Sequence, residues 1–376
     1  MKIAYLVTRL DEFGGVQIHI RDLTTWLKAQ GHEPLVYSGW PGIISDHIKA
    51  MGTPYYEIKD MGRPIRPLKD IKSILQLRRY LKKHQPDILS CHSSKAGIIG
   101  RIAAIGLPTK AIFTAHGWAF TEGVSMKQRF VYKWIEKCAA PFCAKIITVS
   151  EYDRNLALKH KICRPEKIIA IHNGMPARPA PQRDTIEALE EKAPRRAPVK
   201  FIMVARFCPQ KDHETLLHAL KTIENENWHL TLAGNGDSLP MQQLAVELDL
   251  TDRIDFLGER SDVPELLETH DVFLLITHWE GFPRSIIEAM RAGLPTIATE
   301  VAGNGESVAD AQTGYLVPHK DIAAVAMSIA ELTGSPEKRL DMGLQARKRY
   351  EEEFTFLKMA QRNLALYETL TATNKD

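Results

Sequence analysis

Short apolar runs alternate with longer amphipathic stretches along most of this chain. Residues 3–8 and 88–91 have the length and composition of buried strands, and residues 16–30 show the 3.6-residue periodicity of a helix. Strands that alternate with helices form a parallel, doubly wound sheet. The predicted strands of the first half are residues 3–8, 33–38, 88–91, 111–115, 145–149 and 168–172.

A stretch rich in proline, alanine and charge, residues 176–198, interrupts this alternation and reads as a linker. The alternation then restarts, with predicted strands at residues 200–204, 228–233, 254–257, 272–276, 296–299 and 315–317. The chain of 376 residues is long for a single core. We therefore expect two similar α/β domains around a cleft: residues 1–175, the linker, and residues 199–353. A final amphipathic helix within residues 354–376 is expected to pack on the first domain.

The charges divide unevenly between the two halves. Residues 1–175 contain 27 Lys and Arg against 14 Asp and Glu, whereas residues 198–353 contain 14 against 26. Such asymmetry indicates that the basic half meets an anionic substrate or a membrane surface. Mutual attraction of the two domains is the alternative. Nucleic acid is disfavoured as a partner, because no recognition motif accompanies the charge.

The apolar segments and the cysteines indicate the cellular location. The sequence contains no uninterrupted apolar run of eighteen residues and no apolar leader, and its five cysteines lack paired C-x2-C spacing. We therefore expect a cytoplasmic protein with reduced thiols.

Two carboxylates in residues 278–306 suggest the ligand. Pro283 suits the first turn of a helix, which places Glu280 in the preceding loop and Glu288 near the helix start. A helix N-terminus attracts a phosphate, while carboxylates accept hydrogen bonds from hydroxyls. A sugar nucleotide carries both groups. The alternative is a surface helix with scattered acids.

Two cations follow the first strand of the second half. Arg206 comes after the strand, and Lys211 lies just before a helix that Asp212 can cap. Two cations at the mouth of a sheet can neutralise a diphosphate and stabilise it as a leaving group. Solvated surface charges are the alternative for either residue alone.

Other strand ends carry further candidates. Gly14 and Gly15 follow the first strand, where their backbone could approach a phosphate, although paired glycines often form only a turn. His116 follows the strand at residues 111–115, and a functional and a structural role are equally compatible with that position. Glycine-bearing loops at Asn235 and Gly258 could approach a base or ribose.

Together these motifs resemble a family. Arg206 with Lys211, the GNGD loop, FLGER, EGFPRSIIEAM, the G-x-P at residues 293–295 and the Gly-x-x-Glu at residues 303–306 occur in the order found in retaining glycosyltransferases of the large family 4. GGVQIHIRDL and HSSKAG are similar to its first domain, especially in enzymes of bacterial surface-polysaccharide assembly. The family's usual paired glycine before the last Glu is Gly303-Asn304-Gly305 here.

The resemblance implies a fold and a set of roles. It implies the glycosyltransferase-B fold, in which two Rossmann-like domains face a central cleft, with the donor in the second and the acceptor largely in the first. Arg206 and Lys211 would hold the diphosphate, Glu288 the ribose and Glu280 the transferred sugar. The expected catalytic residues are His116, Glu280, Arg206 and Lys211. The expected donor-binding residues are Gly14, Gly15, Arg206, Lys211, Asn235, Gly258, Glu280, Gly281, Phe282, Pro283 and Glu288. The expected acceptor-binding residues are Gly15, Lys95 and His116.

The implied reaction moves a hexose from a UDP- or GDP-linked donor to a glycan or polyprenyl-diphosphate-linked acceptor, with retention at the anomeric carbon and without a metal or other cofactor. A basic segment at residues 59–83 and a basic, partly apolar stretch at residues 127–137 suggest peripheral attachment to the anionic inner face of the membrane. A sugar-nucleotide epimerase of the same fold and a non-catalytic sugar-nucleotide-binding module remain alternatives. A dehydrogenase is weaker, because no G-x-G-x-x-G follows the first strand.

Overall fold

The structure, a computed structural model, describes residues 1–12, 14–62, 64–121, 123–179 and 197–372. Most of the predicted linker, residues 176–198, therefore lies outside the described residues. The chain divides into two compact units, which we call unit 1 and unit 2. Unit 1 contains Met1–His172 together with the chain from Met359 onward, and unit 2 contains Asn173–Lys358.

Unit 1 is built on a seven-stranded parallel sheet in the order β3-β2-β1-β4-β5-β6-β7. Its strands are β1 (Lys2–Arg9), β2 (Glu33–Trp40), β3 (Tyr55–Glu57), β4 (Ile88–His92), β5 (Lys110–Ala115), β6 (Lys145–Thr148) and β7 (Ile168–Ala170). Its helices are α1 (Gly15–Ala29), α2 (Ile43–Ala50), α3 (Pro67–His84), α4 (Ser94–Ala104), α5 (Met126–Ala139) and α6 (Glu151–Lys159).

The central strands of this sheet are buried over most of their length because both faces are covered. Residues 3–8 of β1 and all five residues of β4 are buried, as expected for a parallel sheet between helix layers. Strand β3 was not predicted. Its three residues are partly or fully exposed, so they carry no apolar run that would reveal a strand.

Unit 2 is built on a six-stranded parallel sheet in the order β10-β9-β8-β11-β12-β13. Its strands are β8 (Val199–Val204), β9 (Trp228–Ala233), β10 (Ile254–Gly258), β11 (Val272–Leu275), β12 (Thr296–Thr299) and β13 (Gly314–Val317). Its helices are α7 (His213–Thr222), α8 (Leu239–Glu247), α9 (Val263–Glu268), α10 (Arg284–Arg291), α11 (Asn304–Ser307), α12 (Ile322–Gly334) and α13 (Pro336–Glu353).

The prediction of two parallel-sheet α/β domains is confirmed. In each sheet the strand order reverses once, between β1 and β4 in unit 1 and between β8 and β11 in unit 2. In open parallel sheets, ligands bind outside the carboxyl ends of the strands at such a point. Arg206 and Lys211 lie in the loop that follows β8, and Glu280 lies in the loop that follows β11.

The last helix, α14 (Phe356–Ala372), contributes most of its length to unit 1. Its Tyr367 is 1% exposed, and its hydroxyl contacts those of Tyr5 in β1 and Ser90 in β4. This helix therefore completes the polar interior of the first sheet. Among the described residues, no helix combines the length and the apolar character that crossing a membrane requires.

Candidate active site

Two loops meet at the switch point of the second sheet. Residues 205–212 follow β8, and residues 276–283 follow β11. The Asp212 N–H donates to the Ile276 carbonyl at 3.0 Å, and the His278 N–H donates to the Gln210 carbonyl at 2.9 Å. The Thr277 hydroxyl also donates to the Gln210 carbonyl at 2.9 Å. These bonds fix the two loops against each other, although about 70 residues separate them in sequence.

This pairing joins Lys211 to Glu280. The Lys211 Nζ donates to Glu280 Oε1 in an ion pair, and the Thr277 hydroxyl donates to the same oxygen at 3.1 Å. Both charged side chains are about nine-tenths buried, with 10% and 9% of their surface exposed. The sequence motifs predict that these two residues contact different parts of a donor. The structure places them in direct contact, so each charge compensates the other without a ligand.

Arg206 lies in the first of the two loops and is exposed. Its side chain forms no hydrogen bond or ion pair with any residue in the described parts of the chain. A guanidinium in this state can make two parallel hydrogen bonds to a phosphate without first breaking an internal bond.

The second loop leads into helix α10. Pro283 is the residue immediately before the helix, one position earlier than predicted, with extended backbone (φ −72°, ψ 122°). The Phe282 ring is buried against Phe354 with centroids 5.3 Å apart, and its carbonyl accepts from Asn173 Nδ2 at 3.0 Å. The loop is thus anchored just before the first N–H groups of the helix, which have no partner within the helix.

Gly281 is held by the loop that precedes α11. The Gly303 N–H donates to the Gly281 carbonyl at 3.0 Å. A Cβ atom at Gly303 would lie 2.0 Å from that oxygen, so only glycine fits there. The first glycine of the Gly303-Asn304-Gly305 sequence is therefore required by the close approach of Gly303 to the Gly281 carbonyl.

Glu288 is the fifth residue of the eight-residue helix α10. The side chain is partly exposed and borders a small cavity that Arg178 and Glu268 also line. Burial raises the pKa of Glu288, while the guanidinium groups of Arg284 and Arg291 act to lower it. Hydrogen bonds from hydroxyl groups would stabilise the charged form of this carboxylate, because they would replace the bonds to water that burial removes.

The glycine-bearing loops occupy the neighbouring strand ends. The Gly234 N–H donates to the Gly258 carbonyl at 2.8 Å, which ties the ends of β9 and β10 together. Gly258 is exposed and has φ +64°, a conformation that favours glycine. Asn235 is exposed, and its amide donates to Glu259 at 3.5 Å. Both residues therefore lie on the carboxyl edge where they were predicted.

His116 lies directly after β5 and joins a histidine cluster in unit 1. Its Nε2 is 2.9 Å from Nδ1 of His92, which ends the adjacent strand β4. His19 of α1 completes the cluster, with its ring centroid 5.5 Å from that of His92 and 5.3 Å from that of His116. Neither His19 nor His92 is among the site residues predicted from the sequence. Adjacent parallel strands end side by side, so a residue at the end of β4 is expected to lie near His116, which follows β5. His92 could therefore have been predicted from its position at the end of β4.

The other residues of unit 1 that were predicted to bind donor or acceptor lie at the ends of β1 and β4. Gly14 immediately precedes α1 and Gly15 begins it, so both lie at the carboxyl end of β1. Lys95, in the first turn of α4, pairs with Asp70 at 2.7 Å and donates to the Pro64 carbonyl. Its charge is therefore already neutralised within the unit.

The described residues contain two groups of side chains close enough to share a metal ion, with ligand atoms within 4.8 Å of one another. In the histidine cluster, nitrogens of His92 and His116 bond to each other. In the second group, His278 Nδ1 lies 2.8 Å from His319 Nε2 and 3.4 Å from Asp212 Oδ2. Hydrogen bonds join His92 to His116 and His278 to His319, and we assign a metal to neither group.

Two family models match the chain. One, described as Glycosyltransferase Family 4, matches residues 13–178, and the other, described as Glycosyl transferases group 1, matches residues 185–349. The two matches cover the basic first half and the acidic second half in turn.

Two bacterial glycosyltransferases are similar to this chain over most of their length. An Escherichia coli enzyme named UDP-Gal:alpha-D-GlcNAc-diphosphoundecaprenol alpha-1,3-galactosyltransferase is 31% identical over 334 residues, which are 86% of this chain and 84% of that protein. The Staphylococcus aureus capsular polysaccharide biosynthesis glycosyltransferase CapM is 30% identical over 78% of this chain and 80% of its own.

A solved structure shares the fold. Anabaena HepE in complex with UDP and glucose superposes with a TM-score of 0.81 at 20% identity and covers 98% of this chain and 99% of its own. Together with the family models and the two bacterial relatives, this likeness confirms the predicted family and its glycosyltransferase-B fold. The chain therefore belongs to the glycosyltransferases that combine an amino-terminal family 4 domain with a carboxy-terminal group 1 domain.

Proposed function

We propose that this protein transfers a hexose from a UDP-sugar to a hydroxyl of a polyprenyl-diphosphate-linked glycan in bacterial surface-polysaccharide assembly. The observation that carries the proposal is the Lys211–Glu280 pair at the switch point of the second sheet, beside the start of α10. That arrangement offers a cation and helix N–H groups to a diphosphate and a carboxylate to sugar hydroxyls. The name of the Escherichia coli relative supports both the UDP-linked donor and the lipid-linked acceptor.

The proposed roles follow the chemistry of each group. Arg206 and Lys211 hold the diphosphate, Glu288 accepts from the ribose hydroxyls and Glu280 from the transferred sugar. His116 contacts the sugar at the reacting centre. Gly14 and Gly15 lie against the diphosphate or acceptor, and Asn235 and Gly258 border the nucleoside.

We further propose that transfer proceeds with retention and without a metal. The bond from the anomeric carbon to the β-phosphate oxygen breaks, and a bond to the acceptor oxygen forms on the same face. The acceptor proton passes to the departing phosphate, so the products are UDP and the glycoside. Arg206 and Lys211 stabilise the charge that develops on the leaving group, which is a role that a metal ion fills in other enzymes.

A donor panel tests this function. UDP-galactose, UDP-glucose, UDP-N-acetylglucosamine and GDP-mannose are each incubated with the protein and a GlcNAc-diphospho-polyprenol acceptor, with and without EDTA. We expect one UDP-sugar to raise the melting temperature and to yield a product whose anomeric proton coupling matches that of the donor, with EDTA leaving the rate unchanged.

Each arm of this experiment can contradict part of the proposal. An inverted anomeric coupling argues against retention, and loss of activity in EDTA argues against metal independence. An altered sugar nucleotide formed without acceptor indicates an epimerase. Donor binding without any product on several lipid-linked acceptors indicates a binding module.

A surface of α5 supports membrane attachment, which we propose as part of the same function. Four large apolar side chains on this helix are more than half exposed: Met126, Phe130, Val131 and Trp134. Cations lie among them, and the pKa of Lys133 is lowered by partial burial and by its neighbours Arg129 and Lys137. Apolar side chains surrounded by concentrated positive charge suit an anionic lipid surface.

Vesicle flotation tests this attachment. The protein should float with phosphatidylglycerol vesicles at low salt and should be released at high salt or on phosphatidylcholine alone. Replacing both Phe130 and Trp134 by serine should abolish flotation. Leu344→Ser provides the matched control, because Leu344 is 60% exposed on α13 of unit 2. Failure of the wild-type protein to bind anionic vesicles at low salt would overturn the attachment.

A further inference from the structure

A chain of polar side chains runs through the interior of unit 1 to His116. The Tyr5 and Tyr367 hydroxyls lie 3.5 Å apart, and the Tyr367 hydroxyl donates to Ser90 Oγ at 3.4 Å. Ser90 Oγ lies 3.0 Å from His92 Nε2, and His92 Nδ1 lies 2.9 Å from His116 Nε2. The first four residues of this chain are at most 1% exposed, so their polar groups depend on one another for hydrogen bonds.

The order of donors along the chain follows from the chemistry of each group. Burial raises the pKa of Tyr5 and of Tyr367, so both hydroxyls keep their protons. Ser90 accepts from Tyr367, which leaves its own proton available to His92 Nε2 at 3.0 Å. When Ser90 donates in this way, that nitrogen is the acceptor of the ring.

His92 is neutral in this position. It is 1% exposed, its two bonded neighbours are a hydroxyl and another imidazole, and burial followed by the proximity of His116 holds its pKa well below the usual range. A neutral imidazole carries one proton, and with Nε2 accepting, that proton is on Nδ1. The His92 Nδ1–H therefore donates to His116 Nε2, which leaves the proton of neutral His116 on its Nδ1.

We infer that Tyr367, Ser90 and His92 are positioning residues that hold neutral His116 in the Nδ1–H tautomer, so that His116 acts as a hydrogen-bond donor toward the sugar. The contact with sugar rests on the function proposed above, whereas the tautomer does not. The inference gives the last helix a part in the chemistry of unit 1. Tyr367 of α14 begins the run of three hydrogen bonds that ends at His116, and the intervening groups are buried.

The tautomer can be measured without a substrate. Long-range proton–nitrogen correlation spectra of the full-length protein, labelled with ¹⁵N-histidine, distinguish Nδ1–H from Nε2–H rings. His92→Asn and His116→Asn provide the assignments. We expect both rings to be neutral Nδ1–H tautomers near pH 7.5. A wild-type spectrum with the His116 proton on Nε2 overturns the inference whatever the variants do.

Ser90 is the residue whose replacement separates positioning from packing. Ser90→Ala removes the donor to His92 Nε2, and we expect His116 to change to Nε2–H or to a mixture of tautomers. Ser90→Cys keeps the volume but donates only weakly, so it should behave like Ser90→Ala if the hydrogen bond matters and like wild type if packing matters. An unchanged His116 tautomer in both folded variants also overturns the inference.

The kinetic consequence is a separate readout. Ser90→Ala should lower kcat for sugar transfer about tenfold, as expected for the loss of one buried hydrogen bond, with little change in the KM of the donor. Tyr367→Phe should have a smaller effect, because Ser90 can still donate to His92. Tyr350→Phe is the control, since its buried hydroxyl donates to the Met175 carbonyl of unit 2. If no sugar is transferred at all, the proposed function fails while the spectra still decide the tautomer.

Discussion

Replacing Lys211 by alanine should lower kcat for sugar transfer by about 10²–10³-fold. Lys211 is the buried cation of the second domain's switch point, and its proposed task is to stabilise negative charge on the departing diphosphate. A positioned donor to developing negative charge, when removed, typically costs this factor in rate. Steady-state transfer from the UDP-sugar identified in the donor panel measures the effect. The matched control is Lys221→Ala, because Lys221 pairs with Glu224 on the surface of the same domain.

Lys211→Ala also removes the ion pair with Glu280, which affects the stability of the protein. Truncating Lys211 leaves a nine-tenths buried carboxylate whose remaining bond is to Thr277, and an unpaired buried charge destabilises a protein. Lys211→Ala should therefore also lower the melting temperature. Adding Glu280→Gln removes the unpaired charge, so the double variant should recover much of the melting temperature.

Turnover in the double variant, compared with that of the Glu280→Gln single variant, distinguishes the two roles of Lys211. If Lys211 serves only to neutralise Glu280, the double variant should be as active as Glu280→Gln alone. If Lys211 also stabilises the leaving group, the double variant should be much less active than Glu280→Gln. Wild-type transfer rates in a folded Lys211→Ala protein would remove Lys211 from the proposed mechanism.

Replacing Glu288 by alanine should lower kcat/KM for the UDP-sugar by about ten- to hundredfold. The proposed contact is between its carboxylate and the ribose hydroxyls, and a hydrogen bond to a charged group contributes about 1.5–3 kcal/mol. Because the ribose is remote from the reacting bond, most of the loss should come from a higher KM. Glu288→Gln keeps the size of the side chain but replaces one acceptor oxygen by a donor, so it should also weaken binding.

A deoxy nucleotide shows whether Glu288 contacts the ribose. The wild-type protein should bind UDP more tightly than 2′-deoxy-UDP, and Glu288→Ala should reduce that difference, because the carboxylate that recognises the hydroxyl is gone. Glu247→Gln is the control, since Glu247 is exposed on α8 of the same domain. If Glu288→Ala weakens UDP and 2′-deoxy-UDP equally, Glu288 supports the fold of α10 and does not read the 2′-hydroxyl.

The spectra of His116 extend these tests to the first domain. Lys211 and Glu288 act on the donor in the proposed mechanism, whereas the chain from Tyr367 to His116 fixes the direction of one hydrogen bond. A donor-binding variant should leave the His116 tautomer unchanged, and a Ser90 variant should leave the KM of the donor almost unchanged. The two groups of variants therefore separate binding from positioning.

Most strands and several helices could be predicted from the sequence because their signals are local. A buried strand consists mainly of apolar residues, and a surface helix is apolar on one face. Both patterns can be recognised within a short window of sequence. Strand β3 was missed because its three residues are not buried. The start of α10 was misplaced by one residue, since Pro283 is equally compatible with the position before a helix and with its first turn.

The sequence by itself determined the succession of strands and helices and the strand ends at which Arg206, Lys211, Glu280 and His116 lie. Only the tertiary structure decided which of these side chains touch. The Lys211–Glu280 contact joins residues 69 positions apart, and the contact from Tyr367 to Ser90 joins residues 277 positions apart. Periodicity reports the face on which a residue lies, but hydrogen-bond partners depend on strand order and on how two loops pair, which no local pattern contains.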